Sequence, residues 1–230
     1  MNSVIQVLLS CPEFCQYLDD PRTIVENYET SNILRNILHQ VKNSPNGSVV
    51  NITPFVSQLR MKYYGNNRKG GDDRYAFITM FNDLKENSPI FNTHYKKDIF
   101  STEASYPEIT IGSLIVSAGD FQIEFQNAIE VNKYKKYGKN IFIFMGMFYK
   151  YNIPKYLEFT DSDGNIRHYK LVGATCSNSR HATSCIMTND EKILHINDSR
   201  ISVHDFEDAQ ETLLNGKGPY QADFSNYRET

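Results

Sequence analysis

The chain has 230 residues, which suits one large domain or two tightly joined lobes. Aromatic residues make up 13% of it and the formal net charge is only −3, so its composition excludes a disordered chain and gives no reason to expect a nucleic-acid partner. No segment reaches the roughly 18 consecutive apolar residues of a membrane span, and the N-terminus lacks the basic region of a signal peptide. We therefore expect an intracellular protein, of the cytoplasm or nucleus, that binds no membrane.

The cysteines give no indication of a metal site. The chain has only four, and no two of them have the Cys-x-x-Cys spacing of a zinc ribbon. So few cysteines also differ from the dense pattern of a secreted disulfide scaffold. We therefore expect no metal and no cofactor. The four are Cys11, Cys15, Cys176 and Cys185.

The first ~95 residues carry apolar side chains at helical spacing. A short apolar helix is predicted from Val4 to Leu9, stopping near Pro12. A longer one is predicted from Ser31 to Val41, with the Ser31 hydroxyl as its N-cap.

Two further helices are predicted before the pattern changes. Thr53 and Pro54 start the first, as a capping hydroxyl and a proline at the first helical position, and Gly65 ends it. After a polar loop, Asp72 or Asp73 caps the second. The apolar residues that line up along this helix are Phe77, Ile78, Phe81 and Leu84.

After about residue 98 the apolar residues recur at period two, which indicates strands. The predicted strands are Ile109–Val116, Phe121–Phe125, Ile141–Met145, Tyr156–Phe159, Tyr169–Thr175, Ala182–Met187 and Ile193–Ile196. Asp161–Gly164 is predicted as a hairpin turn between two of them, and Pro219–Phe224 as a weak C-terminal strand. Because helices precede strands instead of alternating with them, we predict an α+β fold with a largely antiparallel sheet.

One group of residues has the chemistry of a hydrolytic site. His181 lies where a loop becomes a strand, and Asn197 lies where the next strand ends. A hairpin of this length brings Asn197 or the adjacent Asp198 beside His181, where a side-chain oxygen bonded to one imidazole nitrogen leaves the other as a base. The alternative is a hairpin with an ordinary polar turn. His195 is interpreted as an edge-strand or surface residue, and His168 as an exposed residue.

Four segments, in this order, resemble the motif blocks of ubiquitin-specific proteases. Met1–Phe14 begins Met-Asn-Ser-Val-Ile-Gln, close to the family pattern Met-Asn-Ser-Val-Leu-Gln, and Gly71–Ile78 resembles Gln-Asp-Ala-x-Glu-Phe-Leu. Ile141–Phe148 lies where the family has a buried strand. Tyr169–Ser202 resembles the histidine box, with Tyr-x-Leu, then Gly-His-Tyr-Thr-Ala-Tyr, then Phe-Asp/Asn-Asp-Ser-x-Val. The resemblance covers nearly the whole chain.

That resemblance implies a papain-like cysteine peptidase fold. The helical thumb is expected at residues 1–97 and the β palm, with reduced fingers, at residues 98–230, as one catalytic domain over 1–230. The implied activity is thiol-dependent hydrolysis of ubiquitin (iso)peptide bonds, and the implied partner is ubiquitin or a ubiquitinated protein.

The family's functional residues map onto five positions of this chain. His181 corresponds to the general base, Asn197 to its orienting partner, and Asp198 to a residue that supports the site. Asp73 and Tyr169 correspond to residues that contact the tail of ubiquitin. A helix N-cap is a second role open to Asp73.

The sequence also departs from the family pattern. The family's nucleophilic cysteine lies two residues before the position of Met1, together with an upstream Asn that helps form the oxyanion hole. We therefore expect the chain to be inactive as given, and we expect none of its four cysteines to substitute for the nucleophile. Ala76, Arg180 and Ala182 stand where the family has Glu, Gly and an aromatic residue.

Three interpretations remain open at this point. The first is an active deubiquitinase whose true start lies upstream of Met1. The second is a pseudo-deubiquitinase that binds ubiquitin or another protein without cutting it. The third is an α+β domain of unrelated role.

Overall fold

The computed structural model describes residues 1–45, 48, 50–65, 73–96, 108–111, 120–132, 137–145, 152–178, 181–215 and 221–230. Six helices come first: α1 Asn2–Leu9, α2 Pro12–Asp19, α3 Pro21–Glu26, α4 Glu29–Asn43, α5 Thr53–Tyr64 and α6 Asp73–Asn87. A π-helical turn at Phe91–Tyr95 follows. We call residues 1–96 the helical lobe. No helix among the described residues is long and apolar enough to cross a membrane.

The described residues from 108 onward, which we call the sheet lobe, include the eight strands of one sheet. Its strands are β1 Glu108–Ile111, β2 Asn140–Met145, β3 Tyr156–Thr160, β4 Ile166–Ser177, β5 Ala182–Met187, β6 Ile193–Asn197, β7 Arg200–His204 and β8 Gln221–Glu229. Helix α7, Phe121–Asn132, lies between β1 and β2 in the chain, and the short α8, Phe206–Ala209, continues into a π-helical turn at Gln210–Leu214.

The strand order is β1-β2-β8-β4-β5-β6-β7, with β3 pairing to β4 beside β5. Only the β1–β2 pair is parallel, and the other pairs are antiparallel. The long β4 therefore holds β8 along one side and both β3 and β5 along the other. This arrangement brings the last strand of the chain into the middle of the sheet.

Strand β2 separates two hydrophobic cores. Phe142 and Phe144 pack among the helices, with the Phe142 ring 4.9 Å from the Phe77 ring. Ile141, Ile143 and Met145 point to the other face of the sheet, into a core built from β3, β4, β8 and α7. Because both faces of β2 are covered, the strand is apolar at nearly every position, as the sequence predicted.

Most predicted elements are confirmed, including the helices at the start of the chain, before Gly65 and after Asp73, and the hairpin turn at Asp161–Gly164. The predicted strand Ile109–Val116 is described only as far as Ile111. The loop 66–71, Asp72, Arg180 and residues 219–220 lie outside the described residues.

The predicted strand at Phe121–Phe125 is wrong, because these residues begin helix α7. Phe121, Phe125 and Ile129 are all buried. Their spacing of four residues places them on one helical face, whereas the five residues considered alone also fit an alternating strand.

Two predicted N-caps are also wrong. Helix α4 begins at Glu29, so Ser31 lies inside it, and its hydroxyl is buried in a hydrogen bond with the Tyr17 hydroxyl. Thr53 is the first residue of α5 and not its cap; its N–H donates to the Asn51 side chain. Pro12 stops α1 as predicted, but it also starts α2, which the sequence analysis missed.

Candidate functional site

His181 and Asn197 meet at one end of the sheet, as their spacing predicted. His181 immediately precedes β5 and Asn197 ends β6, and the distance from His181 Nε2 to Asn197 Oδ1 is 2.8 Å. An amide oxygen only accepts, so Nε2 donates and the lone pair of the neutral ring is on Nδ1. Asp198 Oδ2 lies 3.7 Å from His181 Nε2. The side chain of His181 is 35% exposed, which leaves it open to a reactant.

Contacts on both sides of the pair hold these side chains in place. The His181 N–H donates to Asn178 Oδ1 (2.8 Å), and the Asn178 N–H donates back to the His181 carbonyl (2.9 Å). On the other side, Asn197 pairs with Arg200 across a two-residue turn. Asp198 has a φ of 53° there, a left-handed conformation that hairpin turns require and that Asp tolerates. Asn178 was not among the predicted site residues, although Asn in a short connection is a turn signal.

Helix α1 points its N-terminal end toward His181. The Ser184 hydroxyl donates to Gln6 Oε1, and the Ser10 hydroxyl lies 3.5 Å from the position that a Cβ on Gly173 would occupy. Gly173 pairs with Ile186, so the chain from Gln6 to Ser10, at the end of α1, runs alongside residues 184 to 186 of β5 in the same direction. Met1 is about 7 Å before Gln6 at the helical rise, and His181 is about 10 Å before Ser184 at the strand rise. Both therefore lie at the same end of the sheet.

The two cysteines of the helical lobe are poorly suited to be nucleophiles. Burial raises the pKa of the Cys11 thiol far above its usual range. Burial also raises the pKa of the Cys15 thiol, to about 11, and its Sγ donates to the Leu9 carbonyl. Both thiols are therefore protonated at neutral pH, and both lie at the far end of α1 from His181.

The two cysteines of the sheet lobe point away from α1. Ser184 faces α1, so its neighbour Cys185 faces the opposite side of the sheet. Cys176 belongs to the same core on that side, and its Sγ is 3.4 Å from that of Cys185. Neither thiol is on the α1 face, where the N-terminus of the helix would stabilise a thiolate.

The remaining predicted site residues have different surroundings. Asp73 is the first residue of α6. Tyr169 is fully buried near the opposite end of β4, and its hydroxyl donates to the Gly138 carbonyl. The prediction that His195 is an edge-strand or surface residue is wrong, because β6 lies between β5 and β7 and His195 is only 8% exposed. Its ring is hydrogen-bonded to Thr183. His168 is exposed, as predicted. Among the described residues, no three His, Cys, Asp or Glu side chains are placed to hold a metal ion.

Comparison of the sequence with known families and curated proteins found no family model and no curated protein that matches. Solved structures do match. A chain of the Ubp8–Sgf11–Sgf73–Sus1 SAGA DUB module aligns with a TM-score of 0.68 at 12% identity, covering 100% of this chain and 65% of that chain. A chain of a variant module bound to monoubiquitin gives 0.70 at 11% identity, with coverages of 100% and 66%. A chain of the module bound to ubiquitin aldehyde gives 0.67 at 13% identity, with coverages of 100% and 67%.

These likenesses establish the fold. The chain spans 65% of the length of the first of these structures, and its helical lobe followed by a mainly antiparallel sheet has the architecture found in the DUB modules. The predicted α+β fold class, a helical lobe followed by a mainly antiparallel sheet, is confirmed.

Proposed function

We propose that this chain forms a ubiquitin-specific protease domain in which His181 is the general base for thiol-dependent hydrolysis of ubiquitin (iso)peptide bonds. The observation that carries the proposal is the 2.8 Å contact between His181 Nε2 and Asn197 Oδ1, at the end of the sheet toward which α1 points. The fold shared with DUB-module chains, two of them from structures with monoubiquitin or ubiquitin aldehyde bound, supports it.

The geometry suits a Cys-His-Asn mechanism. With Nε2 donating to Asn197, Nδ1 accepts the proton of a thiol, and the thiolate attacks the carbonyl carbon at the end of ubiquitin. The imidazolium then gives its proton to the departing amine, and water hydrolyses the thioester by the same route. Asn197 orients the ring, and the Asp198 carboxylate, 3.7 Å from Nε2, stabilises the imidazolium.

The proposal assigns the nucleophile to a cysteine two residues before Met1. That position lies at the N-terminal end of α1, where the helix dipole stabilises a thiolate. Cys11 and Cys15 lie at the far end of α1, and Cys176 and Cys185 lie on the sheet face opposite α1, which supports this assignment.

The positions of these four cysteines also favour a second form of the proposal. If no cysteine occupies that position, the domain binds ubiquitin without cutting it, as a pseudo-deubiquitinase. In both forms we propose that the chain is one domain of an intracellular protein and that Asp73, at the start of α6, contacts the basic tail of ubiquitin. Tyr169 is left out of that contact because its side chain is buried in the sheet lobe.

An extended chain tests the catalytic form. We would place Asn-Thr-Cys-Tyr before Met1 and mix the protein with ubiquitin that carries a C-terminal electrophile. We expect a covalent adduct that disappears when the added cysteine is replaced by Ser. His181→Ala should slow its formation by about 10²-fold or more, because the general base is lost. His168→Ala, at an exposed histidine, is the matched control and should leave the rate unchanged.

Plain ubiquitin tests the binding form. The chain without the extension should bind ubiquitin and form no adduct. If the extended chain forms the adduct equally fast without the His181 imidazole, His181 is not the general base. Absence of both binding and adduct would overturn the proposal as a whole.

A further inference from the structure

We propose that Thr183 and His195 form a second, buried pair that positions the His181–Asn197 pair, so that His195 is a positioning residue for the general base. The inference rests on the role proposed above for His181. His195 is the one buried histidine among the residues that the structure describes, and the mechanism proposed above does not use it.

The two pairs have the same geometry on consecutive levels of the hairpin. The register pairs Ser184 with Ile196, which places residue 183 opposite 197 and residue 181 opposite 199. His181 contacts Asn197, and Thr183 contacts His195. Each contact is therefore diagonal, to the β6 residue two positions before the direct counterpart, and long side chains span that distance. The Thr183–His195 pair lies one level deeper in the sheet than the His181–Asn197 pair.

The main-chain pairing between β5 and β6 ends below the site. The last paired residues are Ser184 and Ile196, so neither His181 nor Asn197 is part of the β5–β6 register. On its other side, Asn197 pairs with Arg200 of β7, the strand at this edge of the described sheet. Beyond the end of the register, side-chain contacts have to fix the distance between the two strands. The Thr183–His195 contact is the next one below the site.

The hydrogen-bond directions within the deeper pair are determined by Thr183. Its hydroxyl donates to the Cys176 carbonyl (3.2 Å), so its one proton is used. The contact between Thr183 Oγ1 and His195 Nε2 (3.1 Å) therefore has His195 as the donor. A hydrogen bond chain runs from β6 through Thr183 to the backbone of β4, which fixes β6 to the interior of the sheet.

The surroundings keep His195 neutral and thereby keep this tautomer. Burial lowers the pKa of His195, and the nearby His204 and His181 lower it further. The His204 ring lies 6.2 Å from that of His195, and its Nε2 contacts Ser202 Oγ. The titratable and charged side chains that the register places on this face around His195 are those of Cys176 on β4, Cys185 on β5, Arg200 and His204 on β7, and His181. None of these is a carboxylate that would favour the imidazolium.

The test observes the His181 ring directly, by ¹⁵N NMR of the chain as it stands, without ubiquitin. In the wild type we expect a single His181 tautomer with the proton on Nε2. Thr183→Val keeps the shape of the side chain but removes the acceptor. It should give mixed His181 tautomers and at least ~10-fold faster solvent exchange of the Nε2 proton, because the strand end is no longer held.

Two conservative variants separate positioning from general damage. Thr183→Ser keeps the hydroxyl and His195→Gln keeps an N–H donor, so both should preserve the wild-type His181 spectrum. His168→Gln is the matched control at an exposed histidine and should change nothing. Backbone amide shifts of β5 and β6 report whether each variant is folded.

The outcomes distinguish this inference from the proposed function. An unchanged His181 tautomer and exchange rate in folded Thr183→Val would overturn the positioning role, even if the cysteine-extended chain captures ubiquitin. Changed NMR signals, with no capture by the extended chain, would leave the positioning role standing and overturn the catalytic proposal. In an extended chain that does react, Thr183→Val should lower the rate of adduct formation by ~10-fold or more and alter its pH profile.

Discussion

The helices contact the sheet through two buried polar regions of opposite character. At the end of β4 far from His181, the Glu13 carboxylate of α2 accepts hydrogen bonds from Asn140 Nδ2 (2.9 Å) and from the Arg228 guanidinium (2.9 Å). Nearer to α1, Thr175 Oγ1 and both polar atoms of Asn226 are buried without a hydrogen-bond partner among the described residues. In the first region the buried Glu13 carboxylate is satisfied, and only Asn140 Oδ1 lacks a partner among the described residues. In the second region none of these side-chain polar atoms is hydrogen-bonded to a described residue.

The difference shows where the two lobes are fixed to each other. Glu13 connects α2 to both β2 and β8, and such charge-assisted bonds specify one arrangement of the lobes. Thr175 and Asn226 lie on the α1 face, next to Ser184 and Gly173, and lose hydration without gaining a bond. Hydrogen bonds to Glu13 therefore give the contact between the two lobes its specificity. The buried polar side chains of Thr175 and Asn226 beneath α1, close to the proposed site, destabilise it.

Removal of the Glu13 side chain should have the largest effect. Glu13→Ala leaves the buried Asn140 amide and the Arg228 guanidinium without their acceptor. We expect the free energy of unfolding to fall by about 2–3 kcal/mol, less than for a fully buried pair because Arg228 is 44% exposed and regains water. Urea denaturation measures it. Glu29→Ala, at a carboxylate 68% exposed and paired with Lys62, is the control and should cost under about 0.5 kcal/mol. Equal losses would contradict the comparison.

Acid should weaken the same region to a smaller extent. Burial alone would raise the pKa of Glu13, but hydrogen bonds from Asn140 and Arg228 outweigh it and hold the pKa below its usual value of 4.5. A carboxyl with a lowered pKa in the folded state stabilises the protein above the unfolded-state pKa and loses that contribution as pH falls through the folded-state pKa. We therefore expect the loss to begin near pH 4.5 and grow on further acidification.

Thermal unfolding of the wild type and Glu13→Gln across that pH range isolates this carboxyl from the others. The wild type should lose more stability than the variant on acidification. Parallel pH dependences would mean that Glu13 titrates normally in the folded protein.

The unsatisfied region should respond in the opposite direction. Thr175→Val replaces an unpaired buried hydroxyl by a methyl group of similar size, so we expect a gain of about 1 kcal/mol in the free energy of unfolding. Thr183→Val is the matched control in the same sheet. Its hydroxyl is bonded to the Cys176 carbonyl, so the same substitution should cost about 1 kcal/mol. Chemical denaturation of both variants checks the prediction, and a loss at both positions would refute it.

The smallest expected effect concerns hydrogen bonds between α7 and β3, away from the contact between the helical and sheet lobes. Gln126 of α7 accepts from the Thr160 N–H (3.1 Å) and donates to the Thr160 carbonyl (3.3 Å) on the outer edge of β3. Gln126→Ala should cost about 0.5–1 kcal/mol and speed hydrogen exchange at the Thr160 amide. Asn127→Ala, at an exposed position of the same helix, should leave that exchange rate unchanged. Similar exchange in the two variants would show that Gln126 does not protect the edge.

Much of the fold follows from local patterns in the sequence. The helical spacing before residue 65, the apolar run Ile141–Met145 and the turn at Asp161–Gly164 each specify their structure within one short segment. The His181–Asn197 pair was accessible because a single hairpin brings the two residues together. The features that could be predicted are therefore those determined by residues close together in the sequence.

The parts that could not be predicted depend on contacts between distant segments. Phe121–Phe125 fits both a strand and a helix until the buried position of Ile129 is known. From the sequence alone, His195 is interpreted as an edge-strand or surface residue, because the register that pairs it with Cys185 is not known at that point. The Glu13–Arg228 contact joins residues 215 positions apart, and no local sequence pattern predicts it.

The central position of β8 has a consequence for how the protein forms. A ribosome makes the other seven strands of the described sheet before it makes Gln221–Glu229, yet within that sheet β2 and β4 are joined only through this strand. Until β8 arrives, β2 and β4 present unpaired edges, the kind of surface on which chains aggregate. We therefore expect β2 and β4 to remain unpaired along these edges until Gln221–Glu229 leaves the ribosome, and the dependence of the nascent chain on chaperones should be greatest in that interval.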